Sequence, residues 1–338
     1  METTQGFMLI DVDVAALNNA GADSSTNLEN AVATKKISKN GKHYPYVSGQ
    51  AWRYWWRETL INDFHWEMSP VTRDKKIAFT EANPFQYPDD DIFGYMRAQK
   101  EEGKNITLTR VSPLKNSALI AVAYNPIIQN WSSMTRQEGD AVPYGKDEYC
   151  AIMKGMFSLN LDQVGTFSMQ NRTGFLNINE KMKNRALTDG AVEYNDPLLK
   201  DPKGDAFSLI RLAKDTRLQR IKETILALKT LSGGAKLTTN LVDVTPKLIV
   251  LATLQSGNHP FSHLSKEESG KAVFSVKALE QVCKDFEDQF KGKIYIGRRA
   301  GFMDDVDNDL HQLDSEHYFY ESVNKAIDEY IGSIQLDE

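Results

Sequence analysis

Five residues between positions 35 and 57 have types and spacing suited to gripping a sugar–phosphate backbone. Lys35 and Lys36 are adjacent, and Gln50, Arg53 and Arg57 follow at helical spacing. An amide and two guanidiniums three and four residues apart share one helix face and can follow successive phosphates. A solvated helix face carrying a like-charge Arg53–Arg57 pair gives the same pattern. Such a pair repels by about 0.2–0.5 kcal/mol unless an anion lies between the two, which favours binding. Trp52, Trp55, Trp56 and Thr59 line the opposite face, and tryptophans so placed belong to a core before they serve as a stacking platform.

Ser232-Gly-Gly-Ala-Lys236 is a second group. Consecutive glycines can offer backbone N–H groups to a phosphate, with Lys236 adding charge; they can equally end a helix as a C-cap. No GxxxxGK[ST] is present, and the stretch from Gly139 to Lys146 has the wrong length and Asp147 in place of the hydroxyl, which excludes a nucleotide-hydrolysis loop. Lys154-Gly-Met-Phe-Ser158 is similar to the start of an RRM sheet motif and departs from it afterwards. Asp305, Asp307, Asp309 and Glu316 match a calcium loop, but Leu310 stands where that loop demands glycine. A solvated acidic loop, or a patch meeting a basic neighbour, fits better. His259 and His263 flank Pro260 without a cysteine or glutamate to complete a zinc set. With no HExxH, GxSxG or paired-cysteine motif, the residues predict no metal, no cofactor and no catalysis.

The chain has 338 residues and a formal charge of -6, so one large domain with insertions or two domains are expected. The acidic balance argues against a histone-like binder but leaves room for a local basic groove. No apolar run approaches the roughly 18 residues of a membrane span, and the first residues lack the pattern of a signal peptide. Cys150 and Cys283 are isolated thiols, which fits the cytosol.

The elements that must position these groups are predicted as follows. Met8, Ile10, Val12, Val14 and Ala16 share one face of a first strand, with Leu9, Asp11 and Asp13 opposite, so one face is solvated. A short strand lies near 33–37, Asn40-Gly41 makes a tight turn, and Ser48 caps a helix over about 49–62. Residues 64–150 read as a long irregular insertion with extended pieces at 106–111 and 118–124. Strands at 149–161 and 165–170 precede a polar insertion at 171–204 and a helix at 206–231. Lys247 to Leu254 is a central, doubly covered strand. A strand–helix–strand unit spans 271–298, and a last helix runs over 315–332. The class is α+β, with helices on one face of a mainly antiparallel sheet.

LNNAG, NAVATKKI, YPYVSGQAWRYWWRETL, RVSPLKNSALIAV, YCAIMKGMFSLNLDQVGTF, TLSGGAK and VDVTPKLIVLATL together resemble the DevR-type backbone subunit of type I-B CRISPR interference (Cascade) complexes, from about Leu9 to Tyr295. The resemblance implies a modified RRM-like (ferredoxin-like) palm filling 1–338, with a finger insertion at 64–148 and a thumb at 171–206. It implies copies arranged head to tail along a CRISPR RNA as a helical filament, other Cascade subunits as partners, target DNA read by guide pairing (an R-loop), and cutting by a recruited nuclease. By the same resemblance Lys35, Lys36, Gln50, Arg53 and Arg57 grip guide phosphates, Gly233, Gly234 and Lys236 contact the RNA, and Lys115 and Asn116 join them. Phe175, Leu176 and Met182 are candidates for a base-splitting wedge, and Lys75, Lys76, Lys100 and Lys104 for contact with target DNA. Two alternatives stay open: an RNA-processing endoribonuclease using Asp23 or His43, and a scaffold assembling on protein alone.

Overall fold

The computed structural model describes residues 1–22, 30–101 and 103–336. Asp23 therefore lies outside the described residues. Strand β1 (Thr3–Ala15) runs through the middle of the largest sheet, hydrogen-bonded to Leu248–Leu254 on one side and to Val142–Asn160 on the other. Beyond Leu248–Leu254 lie Phe290–Arg298 and then Tyr318–Glu321. Beyond Val142–Asn160 lie Leu119–Ala121, Lys42–Val47 and Lys36–Lys39. Along this path the pairing is antiparallel except between Phe290–Arg298 and Tyr318–Glu321.

Alternation along β1 sends Met8, Ile10 and Val12 into one core and Phe7 and Leu9 into another. Helix α1 (Gly49–Phe64) covers the first face, together with the helices Lys214–Leu226 and Val323–Ser333. Short pieces cover the second: Phe261, Phe274, Leu279 and Leu310 pack over Leu248–Leu254. The expected solvated face of β1 is thus corrected, since Leu9 is fully buried. The helix Val276–Asp285 that carries Leu279 is the expected one, but the turns that carry Phe261 and Leu310 are too short to announce themselves by periodicity. Val14 also departs from its expected face. A bulge between Val12 and Ala15 turns it outward at φ 43.

All seven residues of Leu248–Leu254 are buried, as expected of a doubly covered strand. Asn40 and Gly41 have φ of 51° and 74°, the two positive values that a tight hairpin turn needs. Two expected helices begin as strands. Ala206–Arg211 pairs with Thr166–Ser168 and Val192–Lys200, and the helix starts only at Lys214. Tyr318–Glu321 joins the main sheet, and Ser322 then caps the C-terminal helix. Both strands are rich in aromatic and aliphatic residues, and a helical period read across the junction hid the change.

The stretch 64–148 alternates short regular elements with irregular runs such as 65–71 and 122–127. It holds helix α2 (Pro88–Phe93), the hairpins Thr72–Asp74/Ile77–Phe79 and Tyr95–Glu101/Lys104–Arg110, and a ribbon begun by Ile128–Met134. Within it Leu114–Asn116 and Leu119–Ala121 return to the main sheet. Helix α3 (Glu180–Thr188) packs with Phe167 and Ile210 into a small separate core.

One carboxylate joins these parts. Asp91, fully buried, ion-pairs with Arg110 from the second hairpin and with Arg220 from the helix Lys214–Leu226, and it accepts from the Gly165 N–H. Replacing it with alanine leaves two buried guanidiniums without a counter-charge, with only carbonyls to accept from them. Asp91→Ala is expected to cost about 3–5 kcal/mol, measured as a lowered urea midpoint; a loss below about 1 kcal/mol would show that the parts are held otherwise.

Candidate nucleic-acid interface

Ser48 accepts from the Ala51 N–H and starts α1 where the sequence predicts. Trp52, Trp55, Trp56 and Thr59 are buried. The indole N–H groups of Trp52 and Trp56 donate to the carbonyls of Ser117 and Thr224 at 2.6 and 2.7 Å, so burying them strands no donor.

The start of α1 is fixed by a dipeptide just beyond β1. Asn18 accepts the Ser48 N–H on its side-chain oxygen at 3.0 Å and the Lys35 N–H on its carbonyl at 2.8 Å. The Leu17 carbonyl accepts the Ala235 N–H at 2.9 Å. Three distant segments therefore meet at Leu17-Asn18, which gathers Lys35, Lys36, Gln50, Gly233, Gly234 and Lys236 at one end of the sheet. Lys36 and Gln50 are exposed, and Lys35 and Lys236 are half-buried. Among the described residues none of these three lysines forms an ion pair. Glu148 lies close by: burial pushes its carboxyl up, but hydrogen bonds from Lys146 and Asn130 and the charges of Lys146 and Lys236 hold it below the usual range. The unpaired N–H groups at the start of a 16-residue helix add partial positive charge at the same place.

The glycines are spaced for contact rather than for helix termination. The preceding helical turn ends at Lys229 with Thr230 as its cap, upstream of the glycines. A Cβ on Gly233 would overlap the Trp55 indole. Gly234 has φ +122°, and a Cβ there would sit 2.8 Å from Leu17.

Arg53 and Arg57 are engaged within the chain rather than standing free on a solvated helix face. The Arg53 guanidinium donates to the carbonyls of Leu114 and Phe93, to the Asn116 side-chain oxygen and to the Ser112 hydroxyl, at 2.7–3.1 Å. Burial pushes its pKa down to about 10, with the charge of Arg57 adding to the shift. Arg57 lies over the Phe93 ring at 4.3 Å and Arg53 at 5.0 Å. Burial lowers its pKa, and Asp89 and Asp90 partly offset this. Burial lifts Asp89 itself to about 6. The Phe93 ring and, through charge alone, Asp89 and Asp90 thus ease the like-charge pair from within the chain. Asn116 is likewise engaged, donating to the Gly49 carbonyl at 3.0 Å. Lys115 is exposed on the same short strand, but alternation turns it to the sheet face away from Asn116 and α1.

Lys75 and Lys76 form the turn of the first hairpin, and Lys100 and Lys104 lie near the end of the second; all four are exposed. Arg97 links the hairpins by donating to the Glu81 carbonyl at 2.7 Å while lying over Phe79. Leu176 and Met182 do not protrude as a wedge would. They pack on Ala82, Tyr95 and Leu108. Phe175 is half-buried beneath Arg172. Lys154 donates to the Ser262 carbonyl at 2.9 Å. The His43 ring meets the Ser38 hydroxyl at 3.0 Å on an exposed strand. Asp304 and Asp307 pair with Arg298, and among the described residues no three metal-ligating side chains cluster. No described helix is long and apolar enough to cross a membrane. Sequence reasoning missed Asn18 and Phe93. The repeated asparagine of LNNAG was the available signal for the first; Phe93 had none.

Arg53→Ala is expected to lower stability by at least about 2 kcal/mol, because four acceptors lose a charged donor. Lys36→Ala should stay within about 0.5 kcal/mol. Urea unfolding of both variants checks the contrast; equal effects would return Arg53 to the list of free cations.

No curated protein matches the chain. Two solved structures share its fold at 10% identity, each match covering 98% of this chain and 99% of the other. They are described as a "CRISPR RNA-guided surveillance complex", at a TM-score of 0.53, and a "CRISPR RNA-guided surveillance complex, pre-nicking", at 0.56. Residues 7–272 match the family described as "CRISPR-associated negative auto-regulator DevR/Csa2". The chain belongs to the DevR/Csa2 family of CRISPR-associated proteins.

Proposed function

We propose that this protein is a non-catalytic, guide-RNA-binding backbone subunit of a type I-B surveillance complex. What supports the reading is the cluster at Leu17-Asn18: three lysines without ion pairs beside a helix start and a two-glycine loop, in a chain of net charge -6. Phosphate backbone is the ligand such a cluster suits, because clustered charge governs nucleic-acid affinity whatever the total. In this reading the main sheet with its helices is the RRM-like palm, 64–148 the finger and 171–206 the thumb. Copies line up head to tail on the guide, leaving guide bases to pair with target DNA. The lysines at the two hairpin ends meet that DNA by charge alone. Other Cascade subunits flank the filament, and a recruited nuclease does the cutting.

The test is binding of guide-length RNA across a salt series. Each lost phosphate contact lowers the log–log salt slope by about 0.7 for a single strand. The triple variant Lys35→Ala, Lys36→Ala, Lys236→Ala should therefore bind more weakly and lose about 2 from its slope. An unchanged slope would place the RNA elsewhere.

A further inference from the structure

A fourth lysine borders the site. Unlike Lys35, Lys36 and Lys236, it has an ion-pair partner among the described residues. Lys146 and Glu148 are two residues apart on Val142–Asn160 and so share one face of that strand. The Lys146 Nζ meets the Glu148 Oε1 at 2.6 Å. The Asn130 side-chain amide donates to the Glu148 Oε2 at 2.7 Å, so both carboxylate oxygens are engaged. The Lys146 side chain is 19% exposed and that of Glu148 8%. Hydrogen bonds and the charges of Lys146 and Lys236 keep this acid ionised despite its burial.

The residues around the pair tie its strand to the lysine site. The Lys146 backbone pairs with Val32, three residues before Lys35. Asp147, buried, accepts the Thr34 N–H at 3.0 Å, and the Tyr149 hydroxyl accepts the Leu17 N–H at 3.4 Å. Thr34 and Leu17 are the chain neighbours of Lys35 and Asn18. Stability gives little reason for the ion pair, since a buried pair recovers about what its desolvation costs and an apolar pair of similar volume does as well. Its electrostatic effect is larger. A fixed carboxylate beside a lysine cluster repels a phosphate and occupies one cation that the phosphate could use.

We propose that Glu148 is an internal counter-ion that withholds Lys146 from the anion site, so that the protein binds its polyanion less tightly than its lysines would allow. Restraint of this kind disfavours a lone small anion, which gains from one or two lysines at most. It leaves binding to a ligand that offers several phosphates along one path, so Glu148 is a specificity-determining residue of the site. Removing the acid releases Lys146 as a fourth phosphate cation. Removing Lys146 instead turns Glu148 toward Lys236, whose charge already reaches it. The identity of the polyanion rests on the guide-RNA reading above.

The test measures guide-length RNA binding across a salt series for the parent, Glu148→Gln, Lys146→Ala and the double variant, each checked by urea unfolding. Glutamine keeps an acceptor for Lys146 and Asn130 while removing the charge. Glu148→Gln should bind at least about fivefold more tightly and steepen the log–log salt slope by about 0.7, the mark of one further phosphate contact. Lys146→Ala should bind more weakly with a slope shallower by about 0.7, and adding Glu148→Gln to it should restore the slope. A folded Glu148→Gln that binds like the parent or more weakly overturns the proposal. Should that variant fail to fold, Lys146→Ala decides, and an unchanged slope there overturns the proposal. If the parent binds no guide-length RNA, the guide-RNA reading falls. The same series with inorganic polyphosphate then decides the role of Glu148: tighter binding by Glu148→Gln upholds it, and equal binding overturns it.

Discussion

The hydrogen bonds of Leu17 and Asn18 are the constraint on which the site depends. Buried backbone groups must be paired, and these two residues meet that need by accepting from segments far apart in sequence: Lys35, Ser48 and Ala235. The position of the dipeptide is set in turn by β1, whose bulge at Val12–Ala15 redirects the chain as it leaves the sheet. A packing solution at the end of a strand thereby brings lysines from two loops to the start of one helix. Glu148 lies near Lys236 but is paired with Lys146, so the gathered lysines keep no ion pair of their own among the described residues, in a chain with more acids than bases. In the proposed reading, an outside anion takes the place of the missing partners.

The arginines follow the opposite rule. Arg53, Arg110, Arg217 and Arg220 spend their planar donor forks on carbonyls and carboxylates of their own chain. Fixed geometry and several donors make arginine the better internal brace, while lysine on its flexible stem serves as a movable charge. Asp91 and Arg53 between them hold α2, the second hairpin and the strand Leu114–Asn116 against the main sheet. The basic residues that looked most alike in sequence thus divide by partner rather than by burial: the half-buried Arg53 braces the fold through four acceptors, and the half-buried Lys35 and Lys236 form no ion pair among the described residues.

Local signals in the sequence were legible where one principle dominates. Ser48 as a cap, Asn40-Gly41 as a turn, the buried tryptophan face of α1 and the buried run Leu248–Leu254 each follow from a single local rule, and each is found. The family, too, was readable from short motifs. Tertiary decisions were not. Whether Leu9 faces water depends on short segments more than 200 residues later that cover the second face. Whether Arg53 is free depends on Ser112, on Asn116 and the Leu114 carbonyl of a returning strand, and on the Phe93 carbonyl at the end of α2. Strand-to-helix junctions at Arg211 and Ser322 were blurred because a helical period tolerates a few extended residues at its start.

The central claim is that Leu17-Asn18 arranges an anion site without itself supplying charge. The most direct measurement is the affinity of Asn18→Ala for guide-length RNA, beside its unfolding curve. Removing one positioning hydrogen bond should weaken binding about fivefold while the chain stays folded and the salt slope stays near the parental value. Affinity equal to the parent's would contradict the account, for the lysines would then find the RNA without the junction that gathers them.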